Sequence, residues 1–531
     1  MTARMRRIDK QRLLAAAAVA FGAICAALTA YYLIFGYGAY LDSDMAGELS
    51  LARHLAQQGA LLSSGWRYST EVRLLNTQLV FTPLMALFGD DWQLVRTLGC
   101  LILMGLLAAS AYACARSLGA RRALALAFAA LSVLPCSSVY AQMMVIGAYY
   151  VPHAILTNLY VMLLARLDAG RKRDMAALVL LSAAMGLSSI RYLLCALLPG
   201  AAAVCWTGLF GGRARQSRRT VAGALTGAAI GTAAFAVSGR VLLALVGWHG
   251  EGYAARRLIA LSGVNLFERL DTVLDGLLRL VGYIEGRQLI SIQGMLSLGA
   301  LLLPALGVLL AVRACRRAEG APRLGALTLL MSGALTLVTF LLVEDLYLNR
   351  YWLPVMTLGA PVMAACLSRE SNARLRNLAV LLFAVVTLGL SAVQVRDSMN
   401  NPETGADDLA VAAALESSGE TMGYATFWNA NVMTELTDGR VEVVAVRIRE
   451  DAQGRGYPRC DMWLERREDV VMNRPDEPVF LLLTPEEAAQ MRDFLADTGA
   501  RREEIPGSAL ALYHLDSQRT LFEAIRAYGK S

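Results

Sequence analysis

The stretch Tyr40-Leu41-Asp42-Ser43-Asp44-Met45-Ala46-Gly47-Glu48 follows almost directly on an apolar run at residues 13–35. That run is long enough to cross a bilayer. Arg4, Arg6, Arg7, Lys10 and Arg12 precede it, which places the N-terminus on the cytoplasmic side and the acidic stretch outside. The run is too long for a signal-peptide core and is expected to be an uncleaved anchor. A cytoplasmic start, one crossing and then carboxylates at the far membrane face form the frame for the rest of the chain.

Ten further runs of this kind follow, near 94–115, 122–140, 146–165, 174–190, 192–211, 220–246, 294–313, 323–343, 351–367 and 375–393. With the first they predict about 11 transmembrane helices. The turns expected on the cytoplasmic side, 116–122, 166–174, 212–219, 313–323 and 368–376, are all rich in arginine, as the positive-inside rule requires. A missed span would have broken this alternation downstream. The joint between the fifth and sixth runs, at Arg191-Tyr192, is the narrowest. Outside lie a first loop, 36–93, a short connection at 141–145, a second large loop, 247–293, residues 344–350 and everything after 393. The run 79–88 is too short to cross and is expected to be partly inserted or interfacial. Leu266, Leu270, Leu274, Leu277 and Leu278 share a helical face in the second loop, which predicts a helix lying on the membrane surface.

Composition agrees. Of the 531 residues 56% are hydrophobic and 18% charged, against about 45–50% and 25% in soluble domains. This excludes a soluble enzyme, a disordered chain and a disulfide scaffold. Arginine provides nearly all of the 50 basic residues. We read that bias as codon composition, not as binding of nucleic acid. The nine cysteines show no C-x-x-C spacing and are expected to be small buried hydrophobes.

Residues 1–393 thus form a polytopic α-helical membrane domain and residues 394–531 a C-terminal extracytoplasmic α/β domain. In the latter, strands are expected at 421–426, 441–448, 479–484 and 509–515, and helices at 407–417, 431–436, 485–497 and 519–528. Thr484-Pro485-Glu486-Glu487 is a helix start, with a Thr cap, Pro next and acids in the first turn. No G-x-G-x-x-G or Walker A motif appears.

Asp42 and Asp44 are two residues apart at a membrane face. Such a pair either solvates the end of a span or does chemistry: a general base for an acceptor hydroxyl, or hard oxygen ligands for Mg²⁺ or Mn²⁺. If the chain is helical from Met45 onward, Asp44 and Glu48 share a face. Arg191 and Arg350 each open the outer end of a span and are followed at once by Tyr192 and Tyr351. Arginine forks bind phosphate oxygens in pairs. His153 sits behind Tyr149 and Tyr150. Trp66, Glu71 and Arg73 belong to a mixed aromatic and polar stretch in the first loop, suited to a sugar acceptor. Glu344 and Asp345 precede Arg350.

This arrangement resembles the GT-C superfamily of polyprenyl-phosphate-dependent glycosyltransferases, which includes protein mannosyltransferases and aminoarabinose transferases. Many members carry Asp-Glu in the first outer loop, followed along a helix by Ala-Arg. Asp44 with Ala52 and Arg53 keeps that spacing, although Met45 stands where the Glu would be. Others carry Asp-x-Asp, which Asp42-Ser43-Asp44 matches, so either aspartate can be the catalytic one. Arg350-Tyr351-Trp352-Leu353-Pro354 matches an Arg-Tyr-x-Leu-Pro motif that opens a late span in these enzymes.

The resemblance implies an inverting transferase in the plasma membrane. It would move a monosaccharide from a polyprenyl phosphate to an extracytoplasmic acceptor in the cell envelope: glycan, lipid or protein. Asp44 and Asp42 would be catalytic, or would hold a divalent cation. Arg350 and Arg191 would bind the lipid phosphate, with Tyr351, Tyr192, His153, Glu48, Glu71, Arg73, Trp66, Glu344 and Asp345 lining the substrate site. The alternatives are a carrier or flippase for lipid-linked precursors, or a catalytically inactive GT-C scaffold. Charge gathered at one face, without paired broken spans, favours the transferase over the carrier.

Overall fold

The structure, a computed structural model, describes residues 2–38, 40–69, 71–210, 217–247, 257–259, 265–344, 347–400, 405–460 and 463–530, with side chains from Arg12 onward. Among the described residues the membrane part is a bundle of fifteen helices in chain order, of which several are short. The first five are α1 Thr2–Phe35, α2 Ser43–Gln58, α3 Gln78–Phe88, α4 Trp92–Ser117 and α5 Arg122–Leu131. Next come α6 Ser138–Ile146, α7 Val151–Arg166, α8 Lys172–Ser188, α9 Ile190–Phe210 and α10 Arg218–Val246. The last five are α11 Leu266–Leu280, α12 Ile292–Arg317, α13 Ala321–Leu342, α14 Asn349–Arg369 and α15 Ala373–Asn400.

Among the described residues eight helices are long and apolar enough to cross a membrane, or nine if the pair α6–α7, bent by 83°, is one span. Eleven were expected. The run 122–140 is not one helix: α5 ends at Leu131, Pro135 disfavours helix in the residue before it, and the Ser137 hydroxyl caps α6 by accepting from the Tyr140 amide at 3.1 Å. The run 174–190 forms α8, which at 17 residues is about 25 Å long, short of a full crossing. The connection expected at 141–145 is helical instead. The chain turns at 147–150, where Ala148 takes a left-handed φ of 55°. The joint between α8 and α9 is Ser189, in extended conformation.

The arginine-rich turns all meet at one end of the bundle. Arg313 forms a two-pronged pair with Glu370 at 2.6 and 3.1 Å, Arg121 donates its amide to Ser368, and Arg166 donates to Ser117. Thr220 joins that end through Asp168; residues 211–216 lie outside the described ones. Arg350 opens α14 and Arg369 closes it, so the basic end and the Arg350 end are roughly 25–30 Å apart by helix rise.

Close packing uses small residues where apolar helices lack a hydrophobic drive to associate. Gly223, Gly227 and Gly231 recur every fourth residue on α10, facing α8. A Cβ on Gly186 of α8 would lie 2.0 Å from the Gly231 carbonyl oxygen. Gly186→Val is therefore expected to part the two helices, costing about 1–3 kcal/mol. A drop in the unfolding midpoint of the detergent-solubilised protein measures this; an unchanged midpoint would refute the contact.

The second loop is described at 257–259 and from 265. Residues 257–259 bridge to the end of α13, with the Glu344 amide on the Arg257 carbonyl. The amphipathic α11 buries Val273, Gly276 and Leu280, and leaves Leu266 and Leu274 exposed.

The C-terminal region carries a six-stranded mixed sheet. Its strands are β2 Met422–Thr426, β3 Glu442–Glu450, β4 Gly456–Cys460, β6 Val479–Leu483, β7 Arg501–Glu504 and β8 Ala511–Leu515, in the order β4-β3-β2-β6-β8-β7. The middle strand β2 runs parallel to β3 and β6, and the outer pairs are antiparallel. All five residues of β6 are buried, as a strand covered on both faces requires. Helices α16 Ala406–Ser418, α17 Phe427–Leu436, α18 Pro485–Gln490, α19 Arg492–Asp497 and α20 Gln518–Tyr528 pack about it. Thr484 caps its helix as expected, and the reciprocal bond from Glu487 completes a capping box. A two-stranded ribbon was not foreseen: β1 Trp66–Arg67 in the first loop pairs with β5 Glu465–Arg466. Nor does helix stop at 393, since α15 continues to Asn400.

Candidate functional site

The site is built on the start of α2. Asp42 is the N-cap, extended at φ −128°, and its Oδ1 accepts from the Met45 amide at 2.9 Å. That supplies one of the orphan amides of a helix start. Asp44 therefore stands in the first turn, where the helix dipole favours an anion, with its side chain free to point elsewhere. It faces Arg350: Nη1 is 3.6 Å from Asp44 Oδ2, and both side chains are about a quarter exposed. Burial pushes the Asp44 carboxyl above its ordinary value. The Arg350 and Arg73 guanidiniums pull it back, and Glu48 adds to the rise.

A second cluster adjoins the first. Glu71 is buried between Arg73 and Arg191, 3.6 Å from each, and its Oε1 accepts from the Ser189 hydroxyl at 2.5 Å. Burial alone would raise the Glu71 carboxyl. Arg191, Arg73, His153 and the Ser189 bond outweigh it and hold the carboxyl at about 2. The Arg191 guanidinium lies over the Tyr351 ring at 4.3 Å and donates to the Tyr150 hydroxyl at 3.2 Å. Arg73 donates to the Tyr149 carbonyl at 2.7 Å, and Arg350 to the Tyr149 hydroxyl at 3.4 Å. The turn at Tyr149-Tyr150 thus spaces three guanidiniums, Arg350 facing Asp44 and Arg73 and Arg191 flanking Glu71.

Two apolar cavities adjoin the start of α14, one lined by Tyr351 and the other by Trp352. A cavity of about 360 Å³ is lined by Ile190, Arg191, Leu194, Phe340, Val343 and Tyr351. Another of about 390 Å³ runs past Trp352 between Leu303, Val355 and Phe383, with almost no polar lining.

The structure brings Asp44, Glu48, Glu71, Arg73, Arg191, Arg350 and Tyr351 together. Glu48 is held by the Thr77 hydroxyl and by Gln78 Nε2. Other residues singled out in the sequence stand elsewhere. His153 and Tyr192 are fully buried behind the charged layer, stacked at 4.8 Å, and the His153 ring nitrogens have no hydrogen-bond partner among the described residues. Trp66 is buried against Leu51, Leu55 and His54, so it does not line the Asp44 site. Glu344 is exposed, and its amide donates to the Arg257 carbonyl. Asp345 lies outside the described residues.

The metal expectation meets a poor donor set. Asp42 spends an oxygen on its cap, and Asp44 has a guanidinium where a second ligand would stand. Among the described residues no group of three or more His, Cys, Asp or Glu is poised to hold a metal ion. Asp42 and Asp44 do not make a metal centre by themselves.

Sequence reasoning missed Ser189, whose hydroxyl orients Glu71, and the pair Arg96–Glu435. Arg96 had a signal: it is a charge inside an apolar run, which needs a partner. Nothing local could name Glu435.

No protein-family model and no curated protein sequence matches the chain. Solved structures do match. ArnT from Cupriavidus metallidurans bound to undecaprenyl phosphate is 15% identical, with 94% of this chain and 98% of that one covered and a TM-score of 0.56. The same protein in the apo state gives 15%, 93%, 97% and 0.58. An oligosaccharyltransferase from Archaeoglobus fulgidus is 12% identical over 81% of this chain and 64% of that one, at a TM-score of 0.46, a looser likeness. ArnT is an aminoarabinose transferase of the GT-C superfamily. Over more than nine-tenths of its length this integral membrane protein shares the fold of ArnT.

Proposed function

We propose that the protein is an inverting glycosyltransferase that moves a monosaccharide from a polyprenyl phosphate to an extracytoplasmic acceptor. The observation that supports it most is the Asp44–Arg350 pair at 3.6 Å, with Arg73 and Arg191 close by and an apolar cavity lined by Arg191 and Tyr351. A base and a set of phosphate-binding cations are what such a transfer needs. The ArnT likeness, in which the neighbour holds undecaprenyl phosphate, points to the same donor class. In this reading the arginine-rich end is cytoplasmic, and the site and the 394–531 domain face the envelope.

The chemistry is a single displacement. Asp44 removes the proton of the acceptor hydroxyl as its oxygen attacks the anomeric carbon. The bond from that carbon to the phosphate oxygen breaks on the opposite face, so the anomeric configuration inverts. Arg350 and Arg191 stabilise the charge left on the lipid phosphate. Glu71 keeps Arg73 and Arg191 in place without contacting substrate. The cavity at Ile190, Leu194 and Phe340 takes the first isoprene units.

The test is purified protein in lipid nanodiscs with radiolabelled polyprenyl-phosphate sugar and an envelope extract. Label leaving the lipid for an acceptor is expected. Labelled lipid that crosses a proteoliposome bilayer intact would instead mark a carrier, and inertness in both assays a scaffold.

Two further results are expected. Asp44 must be ionised to act, and its carboxyl is raised, so kcat should fall with decreasing pH through a value above the ordinary aspartate figure of about 3.9. A pH–rate profile with its acid limb at or below that figure would contradict the assignment. Arg191→Lys removes the planar fork stacked on Tyr351 and should raise the donor KM about 3–30-fold, read from saturation curves.

A further inference from the structure

Arg96 and Glu435 form an ion pair that takes no part in the displacement itself. Both side chains are shut off from solvent, 1% and 0% exposed. Arg96 Nε meets Glu435 Oε1 at 2.5 Å and Nη2 meets Oε2 at 2.6 Å. The Tyr37 hydroxyl, just beyond α1, donates to Oε1 at 3.0 Å. Arg96 stands in the second turn of α4, and Glu435 is on α17 of the C-terminal region.

Two of the three remaining N–H donors of Arg96 go to backbone carbonyls. Nη2 donates to Met45 O at 2.9 Å and Nη1 to Ile146 O at 3.0 Å. Met45 directly follows Asp44. Ile146 ends α6 and leads into the turn that carries Tyr149 and Tyr150, the contacts of Arg350, Arg73 and Arg191. One guanidinium therefore ties the carboxylate-bearing helix to the turn that spaces the phosphate-binding cations. Two features make that tie necessary. Ala148 in the turn holds a left-handed φ of 55°, a conformation that must be imposed by its surroundings. Gly147 packs so tightly against Met45 that a Cβ would lie 2.9 Å from Met45 Cγ, so a slip of either piece moves the other.

Stability alone is a weak reason for this pair, because apolar residues of similar volume are often as stable in such a place. We propose that Arg96 and Glu435 are positioning residues. Through them the C-terminal region sets the distance between Asp44 and the Tyr149–Tyr150 turn. The inference rests on Asp44 as the base.

The test is kinetic, on the full chain in nanodiscs, with radiolabelled polyprenyl-phosphate sugar. The variants are Tyr37→Phe, Glu435→Gln and the apolar pair Arg96→Met with Glu435→Leu, each with and without Asp44→Asn. Glu435→Gln and the apolar pair should lower kcat about 10–100-fold, as a displacement of about 1 Å does, and Tyr37→Phe should lower it less. None should lower the residual rate of Asp44→Asn further, since there is no base left to misplace. An equal proportional loss in both backgrounds would mean a merely structural role and overturn the proposal. So would wild-type kcat in the apolar pair, which leaves no unpaired charge and so decides the matter if Glu435→Gln does not fold. Full transfer by Asp44→Asn alone would instead sink the reading of Asp44, and is told apart by that single variant.

Discussion

Asp44→Asn is expected to lower sugar transfer by about 10²–10⁴-fold, the range a positioned general base contributes. The carboxamide has the same shape and stays in the first turn of α2, so the fold is retained. What changes is the ability to take a proton. The lost ion pair with Arg350 costs little stability, because both side chains are partly exposed and such pairs contribute about 0–1 kcal/mol. Asp42→Asn is the informative companion. Asparagine caps a helix about as well as aspartate, so Met45 keeps its acceptor and most transfer should remain. The two variants together decide which aspartate is the base, measured as turnover of labelled donor at equal amounts of folded protein. If Asp42→Asn were the dead variant and Asp44→Asn active, the assignment would be reversed.

Glu71→Gln is expected to be the most damaging change in stability at the site. The carboxylate is buried between Arg73 and Arg191. Removing one member of a buried ionic cluster leaves the others uncompensated, at about 3–5 kcal/mol. The sign with pH follows from the depressed carboxyl. Its stabilising effect is complete above the pKa of an unfolded glutamate and is lost as pH falls through about 2. At and above about pH 5 Glu71 stays ionised, so the difference between wild type and Glu71→Gln should be flat from neutral pH down to about pH 5. The unfolding midpoint in detergent measures it. The donor KM should rise as well, because Arg191 loses the anchor that orders it over Tyr351. A variant as stable as wild type would show that Glu71 does not neutralise the pair.

The strands and helices of the C-terminal region could be read locally because they carry local signals. The capping box at Thr484 is four consecutive residues, and β6 is a continuous apolar run. The elements that escaped reading are the two edge strands β4 and β7, of which β7 is exposed throughout and carries no apolar pattern, and β1 and β5, which are two residues each and exist only as partners of one another. The spans fared less evenly. The bend at 147–150 lies inside apolar sequence, so hydropathy sees no boundary, and Pro135 interrupts a run that composition alone would leave whole.

At the site, aspartates, arginines and tyrosines at span ends were visible as residue types in costly places. Which of them meet was not. Trp66 and His153 are as conspicuous in sequence as Tyr351, and packing turned both away into the interior. The chain by itself determined that it crosses a membrane many times, that its basic turns share one end, and that its unusual charges gather at the other. Those are properties of composition and spacing, set by transfer from water to lipid residue by residue. The tertiary structure alone decided that Asp44 faces Arg350 while Asp42 caps a helix, that Glu71 holds two arginines, and that Arg96 finds Glu435. Buried charges are tolerated only in pairs, and a pair between distant segments forms only when the whole bundle brings its members within a few ångströms.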